Sequence, residues 1–300
     1  MVDEDAVCVL VPTLDEAETI GDVIDGLRDH GYENVLVIDG GSSDGTVEIA
    51  RDHGARVEHQ TGSGKGRAIR EALSLIDAEY VLMLDGDGTY RPADAEAMLE
   101  PLREGRAGHV IGNRFADMEA DAMPRLNQVG NRLINRAFAL VHRRNLVDIT
   151  SGYRAFTMES VESFRLKSTG FGIETELAVE CVKHDVRTEI VPITYRARPD
   201  ESDTNLRPVR DGAVILITLY RLAKTNNPLF YFGSLGVVSL LFGGGLGIYV
   251  GVEWFTRSVS HEVLAVVAGV SILLGIQLLM FGVLSDMILS LHREQLRRLE

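Results

Sequence analysis

Two long apolar runs near the end of the 300-residue chain set the strongest limit on its fold. Residues 229–252 contain no charged side chain over 24 positions, and residues 263–285 contain none over another 23. A helix rises about 1.5 Å per residue, so each run can cross a hydrocarbon layer roughly 30 Å thick. Buried core helices are the alternative, but two such runs at one end of a polar domain favour two transmembrane helices joined by a short loop at 253–262.

Charged residues around these runs predict their orientation. Arg221 and Lys224 precede the first run, and only Arg257 lies between the two; the second run is followed by Arg293, Arg297 and Arg298. Because positive side chains concentrate on the cytoplasmic side, we expect the N-terminal domain and the C-terminus in the cytoplasm of a two-span membrane protein. The first residues also lack the basic and apolar regions of a signal peptide.

The first run repeats glycine at Gly243, Gly247 and Gly251. Glycines four residues apart on a membrane helix allow close packing of a second helix. We expect the second run of the same chain to be that helix, and a second copy of the chain is the alternative.

Short β-branched runs alternate with amphipathic stretches over residues 6–113. Strands are predicted at 6–11, 34–39, 55–60, 80–85 and 109–112, and helices at 16–30, 44–53, 65–77 and 92–104. Such alternation predicts a Rossmann-like α/β domain whose mostly parallel sheet is covered on both faces. Ligands of such sheets bind beyond the carboxyl ends of the strands.

The remainder of the chain divides into parts of different character. Helices near 124–142 and 173–184 and a strand near 186–195 complete the first domain, and helix 124–142 fits either a core position or a membrane-facing one. Residues 206–225 mix apolar side chains with arginines and a lysine, which predicts an amphipathic helix in the membrane interface. We therefore expect a domain over 1–205, an interfacial helix over 206–227 and a transmembrane hairpin over 228–300.

The charge balance excludes one class of partner and suggests an environment. A formal net charge of −14 argues against nucleic acid, which needs a basic surface. Only four of the 30 basic residues are lysine, and an acid-rich, lysine-poor surface suits a high-salt cytoplasm, so we expect a halophilic source. Cys8 and Cys181 show no pairing pattern and are expected to be buried, reduced thiols.

Two carboxylates, Asp85 and Asp87, follow the predicted strand 80–85 in a glycine-containing turn. Carboxylates at this spacing can share one Mg²⁺ or Mn²⁺, which takes oxygen ligands and keeps places for phosphate oxygens. An EF-hand would also begin this way and end on an acid such as Glu96, but Tyr90 stands where it needs glycine. A turn that binds no ligand is the other alternative. The spacing favours a site for a metal and a diphosphate.

Other candidate residues follow the ends of the first two strands. Pro12, Thr13 and Glu16 come after the first, and Asp39 ends the second. An acid at the tip of a second strand can accept hydrogen bonds from a base or ribose. The segment 61–66 around Lys65 invites a P-loop interpretation, but Gly66 stands where Ser or Thr should hold Mg²⁺ and His59 where the first glycine belongs.

With these motifs in this order, the chain resembles the family 2 glycosyltransferases, and within them the polyprenyl- and dolichyl-phosphate sugar synthases, over nearly its whole length. The resemblance implies a GT-A fold, with Mg²⁺ or Mn²⁺ held by Asp85 and Asp87. It further implies a nucleotide-diphosphate site formed by Pro12, Thr13, Glu16, Asp39, Lys65, Asp85, Gly86 and Asp87. The segments 112–114, 148–154 and 174–177 are similar to acceptor-side motifs of the family.

The chain departs from the family pattern at three places. Gly40 stands where many members have a second acid, so only Asp39 is carried over. Gly88 and Thr89 follow the acidic pair where mannosyl members have Leu or Phe and then Gln, which weakens an assignment to mannose. The residues after Arg198 lack a lysine found in the family, and Arg198 remains the phosphate candidate.

An acceptor phosphate would carry its own negative charge at neutral pH, since its second pKa is about 6, so it needs little help from a base. The candidate catalytic residues are Asp87, Asp148 and Arg114. The candidate groups for acceptor or donor phosphates are Arg114, Arg125, Arg198 and Ser151. Two alternatives stay open: Asp148 is a base or sugar-orienting group, or else a structural cap beside Ser151, and Arg125 binds a phosphate or meets lipid headgroups.

The resemblance therefore implies a membrane-anchored, inverting, metal-dependent hexosyltransferase acting on dolichyl phosphate at the cytoplasmic membrane face and feeding protein N-glycosylation. UDP-glucose is the first choice of donor, and GDP-mannose is the second. A processive polysaccharide synthase is a weaker alternative, since the sole tryptophan, Trp254, lies between the apolar runs and the Gln-x-x-Arg-Trp motif is absent. A non-catalytic membrane scaffold with the same fold is the remaining alternative.

Overall fold

The structure, a computed structural model, describes residues 6–170, 172–198 and 227–297, with isolated positions 212, 216, 217, 220, 223 and 224 between the last two ranges. The chain divides into two compact units, Met1–Thr218 and Leu219–Glu300. The interfacial helix expected over 206–227 lies largely outside the described residues. The boundaries expected at 205 and 227 therefore stay predictions.

The first unit is built on one seven-stranded sheet in the order β3-β2-β1-β4-β6-β5-β7. The strands are β1 (Val7–Thr13), β2 (Val35–Asp39), β3 (Arg56–His59), β4 (Tyr80–Met83), β5 (His109–Met118), β6 (Arg154–Thr157) and β7 (Thr188–Tyr195). Pairs β1–β2, β1–β4, β2–β3 and β5–β7 are parallel, whereas β6 is antiparallel to both β4 and β5. The predicted Rossmann-like, mostly parallel sheet is confirmed.

Helices cover this sheet on both faces. They are α1 (Ile20–Asp29), α2 (Thr46–Asp52), α3 (Lys65–Leu73), α4 (Ala95–Arg103), α5 (Arg125–His142), α6 (Met158–Glu162) and α7 (Ile173–Lys183), with a 3₁₀ turn at Pro92–Asp94. Alternate residues of β1 serve different layers: Val9 packs in one buried cluster with residues of α1 and α4, and Leu10 packs in another with residues of α3 and α7. This alternation follows from the two-residue period of a strand.

The strand β6 has no counterpart among the predicted elements. Its first residue, Arg154, is completely buried, and its guanidinium donates to the carbonyls of Ile149 and Ser151 and contacts His109 Nε2 at 3.0 Å. A charged residue opening a four-residue strand breaks the apolar pattern by which short buried strands are found. The resulting antiparallel strand separates the parallel group β3-β2-β1-β4 from the pair β5–β7.

The second unit contains two long helices, α8 (Pro228–Arg257) and α9 (Glu262–Arg297), both long and apolar enough to cross a membrane. The two helices pack closely at small residues, since a Cβ on Gly243 would lie 2.8 Å from the Ala268 carbonyl and one on Gly236 would lie 2.8 Å from that of Gly275. Gly243 therefore packs on the second helix of its own chain, as expected. Gly251 has open space around it, so the close approach involves only part of the predicted glycine repeat.

Candidate active site

The carboxyl ends of the neighbouring strands β2, β1 and β4 bring the predicted donor-site residues to one edge of the sheet. Thr13 and Asp39 are direct partners in the β1–β2 register, and Pro12 pairs with Ile38. Asp85 and Asp87 lie just beyond β4, which pairs with the other side of β1. The parallel arrangement explains why residues more than 70 positions apart in the sequence meet here.

Lys65 joins two carboxylates at this edge. Its Nζ lies 2.6 Å from Asp85 Oδ1 and 2.6 Å from Glu174 Oε1, so the first residue of α3 connects the end of β4 to α7. Burial opposes the charge on Lys65, but the two carboxylates outweigh burial and raise its pKa. Lys65, whose side chain is 14% exposed, is therefore a charged ammonium ion that orients the Asp85 side chain.

Asp87 faces a second cation. Its Oδ1 accepts hydrogen bonds from the Thr89 backbone N–H at 3.1 Å and from Thr89 Oγ1 at 2.6 Å. Its Oδ2 lies 2.5 Å from Arg198 Nη2, which also lies 3.6 Å from Glu16 Oε1. The turn therefore holds one oxygen of Asp87 by backbone and hydroxyl donors and presents the other to Arg198.

Carboxyl groups outnumber basic groups at this edge among the described residues. Four carboxylates, those of Glu16, Asp85, Asp87 and Glu174, share the cations Lys65 and Arg198. Burial raises the pKa of Glu16 to about 8; Arg198 opposes this rise, and Asp87 and Asp85 add to it. Burial also raises the pKa of Asp85, against the pull of Lys65. Carboxyl oxygens gathered in this way are the kind of ligand that a hard divalent cation takes.

Among the residues that the structure describes, no three His, Cys, Asp or Glu side chains already converge as a metal cage. Mg²⁺ is commonly held by one or two carboxylates together with substrate phosphates, without a dedicated protein cage. Asp85 and Asp87 are the residues that would hold the ion.

Gly86, between the two acids, has a packing role. A Cβ at this position would lie 2.8 Å from Thr13 Cγ2, and the Gly86 carbonyl accepts a hydrogen bond from Thr19 Oγ1 at 2.6 Å. The turn after β4 can therefore lie against β1 only without a side chain at this position. Thr13 Oγ1 is buried and has no hydrogen-bond partner among the described residues, so it is free to receive a ligand group.

Asp39 organises the loop after β2. Its carboxylate accepts hydrogen bonds from the backbone N–H groups of Gly41 (2.8 Å) and Ser42 (3.1 Å) and from Ser42 Oγ (2.5 Å), and His59 Nδ1 lies 3.3 Å away. The residue is almost fully buried. Its predicted role toward a base or ribose stays a prediction, and the structure adds a role in shaping the loop.

The glycines at the start of α3 serve close backbone packing. A Cβ on Gly64 would lie 2.2 Å from the Thr169 carbonyl oxygen, and one on Gly66 would lie 2.6 Å from that of Ser168. The segment 61–66 therefore packs against the loop before α7, which explains its glycines without a phosphate cradle. Lys65 is the one side chain of this segment that reaches the acidic edge.

The candidate acceptor-side residues form a second group. Arg114 on β5 makes a bidentate ion pair with Asp148: its Nε lies 2.8 Å from Oδ2, and its Nη2 lies 2.8 Å from Oδ1. The same Nη2 donates to Thr150 Oγ1, and the guanidinium lies 5.4 Å from the centre of the Tyr195 ring. Burial opposes the charge on Arg114, but Asp148 raises its pKa well above the usual value.

The two groups adjoin at Gly152. A Cβ there would lie 2.6 Å from Asp85 Oδ2, and the Gly152 backbone N–H donates to the Tyr90 hydroxyl at 2.9 Å. The Tyr90 ring packs against the rings of Tyr153 and Tyr195 at 5.3 and 5.5 Å. The loop of Asp148 and the acidic pair are thus adjacent in the structure, and the tyrosine cluster beside them was not predicted.

Two of the predicted phosphate-binding residues, Ser151 and Arg125, lie in different surroundings from each other. Ser151 is completely buried next to Asp148, and its hydroxyl has no partner among the described residues. Arg125 opens α5 and is exposed to solvent. The structure therefore brings Ser151 into the site region and leaves Arg125 on the surface of α5.

Comparisons with known proteins show what the chain is similar to. A model of the family described as "Glycosyl transferase family 2" matches residues 8–165. The chain is 64% identical to Glycosyltransferase AglJ of Haloferax volcanii over 99% of its own length and 98% of that protein. It is 34% identical to the dolichyl-phosphate hexose transferase of the same organism, over 70% of this chain and 91% of that one.

A solved structure shares the fold. Glucosyl-3-phosphoglycerate synthase from Mycobacterium tuberculosis, crystallised with Mn²⁺, UDP-glucose and phosphoglyceric acid, superposes with a TM-score of 0.59 at 21% identity. The superposition covers 74% of this chain and 79% of that one. At this identity the likeness concerns the fold alone, and it agrees with the predicted GT-A architecture.

Proposed function

The chain belongs to the family 2 glycosyltransferases, and on that premise we propose that it transfers a hexose from a nucleotide sugar to dolichyl phosphate. The observation that carries the proposal is the acidic edge where Asp85 and Asp87, held by Lys65 and Thr89, lie beside the loop of Asp148. The dolichyl-phosphate hexose transferase at 34% identity supports the class of acceptor.

Asp85 and Asp87 are the proposed ligands of Mg²⁺ or Mn²⁺, which would offset the charge of the departing diphosphate. Lys65 fixes one oxygen of Asp85, so the other oxygen is the one available for binding. Arg198 lies beside Asp87 and Glu16, and its guanidinium is the proposed contact for donor phosphates. Pro12, Thr13 and Asp39 are proposed to line the nucleoside side.

The acceptor phosphate is proposed to act as the nucleophile without a strong protein base, because it is already anionic near neutral pH. Arg114 uses Nε and Nη2 to hold Asp148 and Thr150, so Nη1 is the nitrogen that would contact a phosphate. Both carboxylate oxygens of Asp148 accept hydrogen bonds. This favours a role of Asp148 in orienting Arg114 over a role in proton transfer. A single displacement at the anomeric carbon would invert its configuration.

Glucose from UDP-glucose remains the proposed donor. Thr89, which follows Gly88 where mannosyl members carry a larger pair, donates back to Asp87 and leaves no long amide side chain at the turn. GDP-mannose is the second candidate. We further propose that the reaction takes place on the cytoplasmic face of the cell membrane, that α8 and α9 anchor the enzyme there, and that the product feeds protein N-glycosylation.

The test uses the purified full chain in detergent and high salt with dolichyl phosphate, Mg²⁺ or Mn²⁺, and radiolabelled UDP-glucose, UDP-GlcNAc or GDP-mannose in separate reactions. We expect labelled lipid from UDP-glucose with the wild type and no detectable product with Asp87→Ala. Asp77→Ala, which removes an exposed carboxylate before β4, is the matched control and should keep full activity.

The outcomes separate the alternatives. Product from GDP-mannose alone would identify mannose, and not glucose, as the transferred sugar. Product from UDP-GlcNAc alone would identify N-acetylglucosamine. Nucleotide binding without transfer from any donor would overturn the catalytic proposal in favour of a membrane scaffold with this fold.

A further inference from the structure

The helix α5 has one buried face and one apolar face that nothing in the described structure covers. Ile134 and Phe138 are buried in the first unit. On the opposite side, Leu126, Leu133 and Leu140 are 63%, 56% and 66% exposed, and Val129 is 62% exposed. These four residues follow one another at spacings of three, four and seven positions, so they form a continuous aliphatic stripe along the helix.

A basic stripe runs beside the aliphatic one. Arg125, Arg132 and Arg136 are all exposed, and their spacings of seven and four positions place them on one line of the helix. The helix contains no acidic residue, although the whole chain has 44 acidic against 30 basic residues. Positive charge is therefore concentrated next to exposed aliphatic side chains on a chain that is otherwise strongly acidic.

From this arrangement we propose that the exposed face of α5 binds the surface of a bilayer that contains anionic phospholipid. The four aliphatic side chains would enter the boundary between headgroups and acyl chains, and the three arginines would lie against the lipid phosphates. The same chain contains α8 and α9, which are apolar enough to cross a membrane. A bilayer is therefore the partner surface that this chain itself implies.

A second copy of the chain fits this face less well. In a two-fold dimer the same patch meets itself, so closely facing helices would bring the two arginine stripes together without acids on α5 to balance them. Anionic lipid headgroups supply the missing negative charge, and acyl chains accept the aliphatic stripe.

The surface is also joined to the candidate active site. Asn135, on the inner side of α5, accepts a hydrogen bond through Oδ1 from the backbone N–H of Ile149 at 2.9 Å. Ile149 follows Asp148 directly in the loop that holds Arg114. Docking of α5 would thus place the loop of Asp148 at a fixed depth relative to the lipid surface.

The test measures lipid contact in the full chain and does not depend on transfer activity, so its failure is distinguishable from failure of the proposed function. Cys8 and Cys181 are 3% and 1% exposed, so a cysteine introduced on the surface can be labelled selectively. Leu133→Cys and Leu140→Cys carry the environment-sensitive fluorophore NBD on α5, and Ala97→Cys carries it on the exposed side of α4 as the matched control.

The labelled chains are reconstituted in vesicles of phosphatidylcholine with phosphatidylglycerol, with and without nitroxide-labelled lipid. We expect blue-shifted NBD emission at positions 133 and 140 and about twofold or greater quenching by the nitroxide lipid, with neither effect at position 97. Unquenched, water-like emission at positions 133 and 140 would overturn the proposal. Blue-shifted emission without nitroxide quenching would also overturn it, in favour of a protein contact.

The arginines are tested in the same system. The triple variant Arg125→Gln, Arg132→Gln and Arg136→Gln, with the label at position 133, should show weaker quenching in vesicles with phosphatidylglycerol and unchanged quenching in phosphatidylcholine alone. Equal quenching of the triple variant and its parent in both lipids would overturn the part of the proposal that assigns anionic headgroups to the basic stripe.

Discussion

Lys65 Nζ lies 2.6 Å from Asp85 Oδ1, inside the protein, and a second carboxylate from Glu174 lies at the same distance on its other side. An ammonium shared in this way holds Asp85 in one orientation, because rotation of the carboxylate would break a charge-assisted hydrogen bond in a poorly solvated place. We therefore expect Glu174 to act on the proposed metal ligand Asp85 through Lys65.

Glu174→Gln should lower transfer activity while the protein stays folded. A neutral amide holds Lys65 less firmly, and the loss of one charge-assisted hydrogen bond, on the order of 1.5–3 kcal/mol, corresponds to a roughly 10- to 100-fold lower kcat/KM. Glu180→Gln is the matched control on α7, because Glu180 binds Lys183 away from the acidic edge. Unchanged kinetics of Glu174→Gln would remove Glu174 from the active-site network.

Removal of divalent cations should weaken donor binding. The carboxylates of Asp85, Asp87 and Glu174 gather at this edge, and among the described residues Lys65 and Arg198 lie opposite them, so we expect a diphosphate to be repelled until a divalent cation is present. Titration calorimetry measures the binding of UDP and of GDP, first in EDTA and then in Mn²⁺ or Mg²⁺. We expect one of the two nucleotides to bind, and to bind only when metal is present. Asp87→Ala should lose this metal dependence, and equal affinity of the wild type with and without metal would contradict the prediction.

Sequence patterns located the acidic edge because its residues follow the ends of buried β-branched strands. Parallel strands bring their carboxyl ends together, so Asp39, Asp85 and Asp87 could be placed at one edge from the order of elements alone. The same patterns did not find β6, because buried Arg154 looks like a surface residue until the carbonyls of Ile149 and Ser151 are known to meet it.

The link between Lys65 and Glu174 was beyond the reach of local patterns for a different reason. It joins the start of α3 to α7 across more than 100 residues, and sequence spacing carries no information on such a pair. Glu174 belongs to a segment associated with the acceptor by resemblance alone. In the structure, its carboxylate binds the Lys65 ammonium that also binds Asp85, the proposed metal ligand.

Gly66→Ala should destabilise the protein, since the added Cβ would lie 2.6 Å from the Ser168 carbonyl oxygen. Backbone must move to relieve this contact, and overpacking of this kind costs about 1–3 kcal/mol. Gly130→Ala is the control: it lies in α5 with open space around it, so it should be neutral or stabilise the helix by up to about 1 kcal/mol. Thermal unfolding of both variants in detergent measures the difference, and a Gly66→Ala protein as stable as Gly130→Ala would contradict the packing role.

Salt should stabilise the folded chain. Its 44 acidic and 30 basic residues give a net charge of −14, and screening reduces the repulsion among carboxylates. We expect the unfolding temperature in detergent to rise between low and multimolar KCl. An unfolding temperature that does not change with KCl would remove the halophilic interpretation of the composition.

His142 should make stability depend on pH in a defined window. It ends α5 on the buried side, its ring centre lies 4.7 Å from that of Phe138, and neither ring nitrogen has a hydrogen-bond partner among the described residues. Burial lowers its pKa from 6.5 to about 4. Above about pH 6.5 the imidazole is neutral in both the folded and the unfolded chain, so it contributes no pH dependence there.

As the pH falls from about 6.5 to about 4, the unfolded chain binds a proton at His142 that the folded chain excludes, so the free energy of unfolding falls. At about 1.4 kcal/mol per pKa unit, the difference between pKa values of 6.5 and about 4 corresponds to a full loss of about 3.5 kcal/mol, of which about 3 kcal/mol is reached at pH 4. His142→Leu fills the same apolar space without a titratable group, and the stability difference between variant and wild type should widen by that amount between pH 7 and pH 4. A difference that is constant over this range would show that His142 has the same pKa in the folded and the unfolded chain, and would contradict the prediction.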